Sequence, residues 1–468
     1  MVKNAFWLTI GEIVSRFFRF FVVVYAARVL GASGWGTFSY ALSIAGLIMI
    51  FSDLGLNAYT TRELSQNNPS SSALVSTAFF LKIFVLLVST LLVLIIGSTI
   101  SKLPEANHLL IWVALILFFD SLRDFGFAFI RAFNKMEWQT FSIAIMSVIV
   151  LVLGLFLLHK NPAPISVAIA YLVGGFVGCI AIFWVIRNNV LSAIGNFRFD
   201  LVKPILKISV TFAFTSLLGN ILANSDVYML GLWRTPAEIG FYAAGQRFYQ
   251  FFLVIPSTIS MALFPTLSRY GNDLEKSKVV LQKTMNVVLA IGIPIAFGGI
   301  ILAHDIIIKI LGVSYAATIP IFQVLMIMTV LSFPSMILSN AIFAQNEQKK
   351  LLVASATAAI VNIILNVFLI ARLGALGAAI STLISLCVAI LLMATMVKKI
   401  VNLSLIRGVG KLLLAGIVMS ICCLLLQALH VYFIITILVG GVIYVMSLIL
   451  LKASIVTEIK EFLSSQKI

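Results

Sequence analysis

The sequence predicts an all-α polytopic membrane protein of about fourteen transmembrane helices: two parallel, pseudo-symmetric six-helix lobes around a central cavity, with two C-terminal helices appended. Three observations predict it. The chain is 62% hydrophobic and only 10% charged, where a soluble domain averages about 25% charged residues. Apolar runs of twenty or more residues recur from end to end, and at ~1.5 Å rise about twenty residues cross a ~30 Å hydrocarbon core. The 32 lysines and arginines, set against 16 acids, fall unevenly between alternate loops, as the positive-inside rule describes.

The spans follow in order. The first, about 5–30, contains Glu12, Arg16, Arg19 and Arg28, which makes it too long and too charged for a cleavable signal peptide. Runs at 36–60, 73–99, 108–133, 139–158 and 164–186 complete a first set of six. A second set lies at 205–233, 238–264, 282–303, 316–343, 351–371 and 375–397, and two more spans at 409–429 and 431–451. Several exceed twenty residues, which permits tilt. Proline removes a backbone hydrogen bond, so Pro256, Pro294, Pro320 and Pro334 interrupt spans 8, 9 and 10. Gly174, Gly175 and Gly178, and Gly374 with Gly377, permit close helix packing. The organisation expected is an N-terminal lobe at 1–190, a second lobe at 200–400, the additional pair at 405–455 and a cytoplasmic tail at 456–468.

Charge counting orients the spans. With the N-terminus inside, 21 of the 32 basic residues fall in inner loops and tails, among them Arg131, Lys349, Lys350, Arg407, Lys460 and Lys467; six fall in outer loops, among them Lys160 and Arg372; five lie within spans. Both termini then face the cytoplasm. The same bias accounts for the net charge of +16, and no nucleic-acid partner is expected. The longest connections, about 187–204 and 265–281, are too short for an attached ATPase. The four cysteines, Cys179, Cys387, Cys422 and Cys423, lie in apolar spans, and the four histidines pair with nothing at metal-ligand spacing. No cofactor is expected.

A repeat is legible. Phe133-Asn134-Lys135-Met136-Glu137-Trp138 after span 4 corresponds to Phe343-Ala344-Gln345-Asn346-Glu347-Gln348 after span 10, an offset of 210 residues. Gly36 to Ala41, opening span 2, parallels Gly240 to Ala244, opening span 8. Thr61-Arg62 parallels Ser268-Arg269. Two six-span halves enter the membrane from the same side, so the repeats are parallel and related by an axis along the membrane normal.

Charged residues at membrane depth are the candidate functional ones, because a guanidinium there costs several kcal/mol (roughly 3 to more than 10) unless it faces water or a partner. Glu12, Arg16 and Arg19 share one helical face, with Glu12 one turn from Arg16; snorkelling to the inner interface is the plain alternative. Span 8 carries Tyr242, Gln246, Arg247, Tyr249 and Gln250, otherwise read as an interfacial aromatic anchor. Span 7 offers Asn220 and Asn224, equally well helix–helix glue, and Asp226, a candidate partner for Arg247. Asp120, Arg123, Asp124 and Arg131 on span 4 read as a structural ion-pair stripe. Five cations and five acids lie within spans, so net sign does not decide the ligand. Once local pairs are cancelled, Arg19 on span 1 and Arg247 on span 8 remain, one near the start of each half.

The residues from Arg28 through Gly31 and Gly36 to Phe38, Ser52-Asp53-Leu54-Gly55-Leu56 with Thr61-Arg62-Glu63, Tyr242-Ala243-Ala244-Gly245-Gln246 with Arg247, and the loops ending at Glu137 and Glu347 resemble Wzx-type lipid-linked oligosaccharide flippases. These form the polysaccharide-biosynthesis branch of the multidrug/oligosaccharidyl-lipid/polysaccharide exporter superfamily. The likeness covers spans 1–12. It implies two six-helix lobes around a central cavity, alternating access, and translocation of a polyprenyl-pyrophosphate-linked repeat unit for O-antigen, capsule or other surface polysaccharide. The setting implied is a bacterial inner membrane, with undecaprenyl-pyrophosphate-linked glycan and membrane lipid as ligands and a polysaccharide polymerase and chain-length regulator as partners. Arg16 and Arg247 resemble cavity arginines of lipid II flippases, where they serve a pyrophosphate. On this reading Arg16, Arg19 and Arg247 hold pyrophosphate, while Gln246, Gln250, Tyr242, Asn220 and Asn224 contact sugars. Asp226 or Asp53 couples protons or sodium.

Two rivals remain. A cation-coupled multidrug antiporter of the same superfamily would place carboxylates, not arginines, deepest in its cavity. A glycan polymerase or ligase would need a sizeable outer loop and a nucleophile–base arrangement, and neither is visible, so an enzyme is not expected.

Overall fold

The computed structural model describes residues 2–65, 71–188, 195–270, 273–345, 347–401 and 408–453. Arg407, Lys460, Lys467 and the expected tail at 456–468 lie outside the described residues. Among the described residues every regular element is helical. Among the described residues ten helices are long and apolar enough to cross a membrane, or up to eleven if a bent pair counts as one span. The chain divides into two compact units, Met1–Ala244 and Gly245–Ile468.

In the first unit, α1 (Val2–Ile48) is one helical run broken at Gly31, whose φ of 67° and ψ of 176° are not helical. Glycine enters that region without the steric cost a Cβ imposes, so the segments expected at 5–30 and 36–60 meet with no loop between them. A 3-10 turn (Met49–Ser52) then leads through Asp53, Leu54 and Gly55 into α2 (Leu56–Ser65). Leu54 and Gly55 both have positive φ, 44° and 79°, and α2 leaves bent by 43°. The Asp53 carboxylate accepts from the Asn57 amide at 3.2 Å, satisfying one of the donors a helix N-terminus leaves open.

Helices α3 (Ser71–Ile100), α4 (Pro104–Ala132), α5 (Met136–Lys160), α6 (Pro164–Val185) and α7 (Val202–Trp233) follow. The expected spans at 108–133 and 205–233 correspond to α4 and α7. α1 packs along α5 and also meets α4 and α6, while α5 and α4 both pack on α6. Small residues allow this: a Cβ on Gly174 would come within 2.4 Å of Val150, and the Ser142 hydroxyl donates to the Gly178 carbonyl at 2.7 Å. Phe84, Leu91 and Ile95 on α3 present large apolar side chains outward, the surface expected against lipid tails rather than water.

α8 (Pro236–Phe252) carries the chain from the first unit into the second and is followed by α9 (Val254–Arg269). The second unit continues with α10 (Leu274–Ile301), α11 (Ala303–Ile310), α12 (Thr318–Ala344), α13 (Gln348–Leu373), α14 (Ala375–Val401), α15 (Val409–Ala428) and α16 (Phe433–Leu450). Pro294 and Pro334 lie inside the continuous helices α10 and α12 rather than interrupting them; packing against neighbouring helices holds the run together past the missing hydrogen bond. Pro320 sits in the first turn of α12, where no intrahelical donor is lost. The joint between α8 and α9 comes just before Pro256.

The last two helices, α15 and α16, share a core with α10. Met285 and Ile293 cluster with Leu412, Met419, Cys423 and Tyr444. At its end Gln427 Nε2 donates to Asp305 Oδ2 at 2.8 Å, and Lys309 pairs with Asp305 at 3.0 Å. Burial pushes the Asp305 carboxyl up, but the Gln427 amide and the Lys309 ammonium outweigh it and hold it below the usual carboxylate range. A depressed carboxylate contributes stability that is present above its unfolded value, about 3.9, and lost as pH falls through the folded one. Gln427→Ala is therefore expected to lower the thermal midpoint at pH 7, by the equivalent of about 0.5–1.5 kcal/mol. The gap to wild type should close below about pH 4. A gap unchanged down to pH 3 would show that Asp305 ionisation plays no part.

Candidate functional site

A polar cavity of about 280 Å³ opens within the first unit. α1 contributes Glu12, Ser15 and Arg19, α2 contributes Asn57, α4 contributes Arg123, Asp124 and Arg131, and α5 contributes Gln139. The helical period explains the convergence. Glu12, Ser15 and Arg19 recur at three- and four-residue steps and so share a face, as do Arg123 or Asp124 with Arg131, two turns on. Packing of α1 against α4 and α5 brings those faces together.

The arginines behave differently. Arg16 donates from Nε and Nη2 to Glu12 Oε1 at 3.1 and 2.7 Å, the one-turn pair the spacing implied. Arg19 is exposed and donates to the Ser15 hydroxyl at 3.2 Å. Arg123 is buried between two carboxylates, 2.7 Å from Asp120 and 3.5 Å from Asp124, so the local neutralisation read from span 4 is present. Arg131 is exposed and donates from Nε to Gln139 Oε1 at 3.1 Å. Two buried polar atoms at the cavity, Arg123 Nε and Asn57 Oδ1, have no hydrogen-bond partner among the described residues. Leaving such atoms dry costs about 1–3 kcal/mol each, which favours a polar guest.

The other candidates fall elsewhere. Asp53, at the break before α2, forms an ion pair with Lys82 of α3 at 3.3 Å, and Lys82 also donates to the Ser121 hydroxyl at 2.9 Å. Asn224 donates to the Asn220 carbonyl and side-chain oxygen at 3.0 and 3.2 Å along α7. The Asn224 amide also faces α1, where a Cβ on Gly46 would meet its Oδ1 at 3.0 Å. Asp226, fully buried, accepts from the Tyr242 hydroxyl at 2.5 Å. In the second unit Arg247 donates to Gln250 Oε1 at 3.0 Å, one turn on, Gln246 is half-buried beside it, and the Tyr249 hydroxyl bonds that of Ser332.

The structure thus places Arg19 at the cavity with Arg16 on the adjoining ion pair, and it adds Arg123, Asp124, Arg131, Asn57 and Gln139, which the sequence reading did not count as site residues. Span-4 spacing signalled the first three. Asn57 and Gln139 carry no signal of their own, because only the tertiary packing brings them to the cavity.

The family model described as polysaccharide biosynthesis protein matches residues 1–271, and the MatE model matches residues 212–368. A probable low-salt glycan biosynthesis flippase of Haloferax volcanii is 21% identical over 390 residues, covering 83% of this chain and 81% of its own length. A putative O-antigen transporter of Shigella flexneri is 23% identical over 398 residues, covering 81% of this chain and 94% of its own. Among solved structures, a lipid II flippase in an inward closed conformation matches with a TM-score of 0.79 at 19% identity, over 94% of this chain and 97% of that one. An inward-facing multidrug resistance transporter matches with a TM-score of 0.67 at 15% identity, over 81% and 94%. At such identities the structural likeness is one of fold. The sequence match to the first family model spans more than half the chain, and the protein belongs to the polysaccharide biosynthesis protein family.

Proposed function

We propose that the protein is a flippase that moves a polyprenyl-diphosphate-linked oligosaccharide across a bacterial cytoplasmic membrane by alternating access, for O-antigen, capsule or another surface polysaccharide. The observation that carries this reading is the arginine-lined polar cavity inside a bundle whose outer surface is apolar. A polar pocket with guanidinium walls offers charge-assisted hydrogen bonds to phosphate oxygens, while the polyprenyl tail stays among lipid. Relatives named as a glycan biosynthesis flippase and an O-antigen transporter support it.

In this proposal Arg16, Arg19 and Arg247 meet the diphosphate, and Gln246, Gln250, Asn220 and Asn224 meet sugars. Tyr242 and Asp226, bonded to each other, act as a buried pair, and Asp226 or Asp53 carries the coupling ion. Both termini face the cytoplasm, fourteen spans cross the membrane, and the polysaccharide polymerase and chain-length regulator act next. The MatE match keeps a cation-coupled multidrug antiporter as the second reading.

Proteoliposomes holding a fluorescent undecaprenyl-diphosphate-linked glycan test the proposal, with translocation read by a membrane-impermeant quencher. Protein-dependent loss of protected signal is expected. Arg247→Ala should slow it at least about tenfold, the loss of one charge-assisted bond at about 1.5–3 kcal/mol. Arg247→Lys should recover only part, because lysine keeps the charge without the planar fork. Ethidium efflux with no glycan translocation would favour the antiporter.

A further inference from the structure

The charges around the first-unit cavity do not cancel. Glu12 and Arg16 neutralise each other on α1, and Lys82 of α3 neutralises Asp53. On α4, Arg123 stands between Asp120 and Asp124, which leaves one carboxylate charge in surplus. Of those two acids, Asp124 is the one lining the cavity, and it is half-exposed and held only at 3.5 Å. Against that surplus stand Arg19 and Arg131, whose hydrogen bonds in the structure go to the neutral side chains of Ser15 and Gln139. α5 presents Gln139 and Met146, neither of them charged, and the buried Cys179 of α6 is the remaining titratable group beside Arg123. Two guanidiniums therefore face one loosely held carboxylate across a cavity that also offers a donor, Arg123 Nε, and an acceptor, Asn57 Oδ1, with no partner among the described residues.

We infer that, in the diphosphate site proposed above, Arg131 is a binding residue beside Arg19 and Arg123 a further donor, and that Asp124 is a built-in competitor that must lose its charge for the anion to bind tightly. The inference rests on the flippase reading only for the source of the anion, a lipid-linked head group. At about 280 Å³ the space lies at the lower edge of small-molecule pockets, about 300–1,000 Å³, which suits an anionic head and not the oligosaccharide behind it.

Asp124 gives the site a direction. Arg131 sits in the last turn of α4, two turns beyond Asp124, so the two are about 10 Å apart along the helix axis. An anion that settles between Arg19 and Arg131 takes those cations from Asp124 and adds a like charge beside it. Neutralising Asp124 removes that repulsion. By linkage, anion binding then favours proton uptake at Asp124 to the same degree that protonation favours the anion.

Titration calorimetry of the intact protein with inorganic pyrophosphate tests this, followed by undecaprenyl phosphate and undecaprenyl diphosphate in nanodiscs to separate a free anion from a lipid head group. Arg131→Gln and Arg19→Gln, both at exposed positions, should each weaken pyrophosphate at least about tenfold. Lys276→Gln, which removes an exposed charge from the second unit, should change nothing. Asp124→Asn should tighten binding about tenfold and flatten the pH dependence relative to wild type; comparing the two proteins cancels the titration of pyrophosphate itself. Wild-type affinity in either arginine variant, or looser binding in Asp124→Asn, overturns the inference. Pyrophosphate binding as described, without glycan translocation in proteoliposomes, would overturn the flippase reading and leave the subsite standing. Translocation with unaltered pyrophosphate binding in Arg131→Gln would do the reverse.

Discussion

Gly36→Ala and Gly240→Ala are each expected to prevent the first unit from packing. A Cβ on Gly36 would lie 1.8 Å from the Pro236 carbonyl oxygen, and one on Gly240 would lie 1.9 Å from the Ala32 carbonyl oxygen. Both obstacles are backbone, so no rotamer change clears them. The contact is reciprocal: residues 32–36 of α1 and 236–240 of α8 approach each other main chain to main chain, the arrangement small residues permit between membrane helices. Separating them by the more than 1 Å that a methyl group demands would also loosen Tyr40, which lies within 2.0 Å of where a Cβ on Gly231 would stand. Overpacking of this kind costs about 1–3 kcal/mol at side-chain contacts and more where nothing can yield, so each substitution should sharply cut the monodisperse yield in detergent. Gly441→Ala is the control: a Cβ there meets nothing within 4 Å, and alanine in a helix interior gains up to ~1 kcal/mol over glycine. Normal elution and melting of Gly36→Ala would mean the two segments are not in backbone contact.

The same pair shows how far the sequence could be read. Gly36 and Gly240 stood out as corresponding positions in two repeats, and apolar run length placed most helices to within several residues. Low charge content identified the fold class. The Glu12–Arg16 pair and the Asp120–Arg123–Asp124 stripe were legible because they are neighbours on one helix, where spacing alone decides contact. Partners on different helices were not. Depth alone makes Asp226 a candidate partner for Arg247, and nothing in the spacing points to the bond it accepts from the Tyr242 hydroxyl. Depth in the membrane is one coordinate, and helix rotation and packing supply the others. The cavity shows the same limit: span-4 spacing groups Arg131 with Arg123 and Asp124, but Gln139 carries no signal, and only the assembly of α1, α4 and α5 brings the two to one cavity. The continuity of α1 through Gly31 was hidden for a related reason, since glycine between two apolar runs reads equally as a loop or as a single non-helical residue.

Lys82→Met is expected to be the most damaging change at a charged position. Lys82 is fully buried, with its ammonium 3.3 Å from Asp53 and 2.9 Å from the Ser121 hydroxyl, which in turn bonds Ser52 at 3.0 Å. Asp53 stands where the chain leaves helical geometry at Leu54 and Gly55, and its carboxylate also caps α2. Removing the lysine leaves that carboxylate uncompensated among apolar helices, at a cost of about 3–5 kcal/mol. The double variant Lys82→Met with Asp53→Asn should recover most of the loss, because replacing both members of a buried pair is often nearly neutral and asparagine still caps a helix. Asp53→Asn alone should fall between, since lysine keeps the Ser121 bond but loses its counter-charge. Thermal midpoints of the four proteins in one detergent give the cycle. If the double variant melts no higher than Lys82→Met, Asp53 and Lys82 act separately, and the bend into α2 is held by its backbone alone.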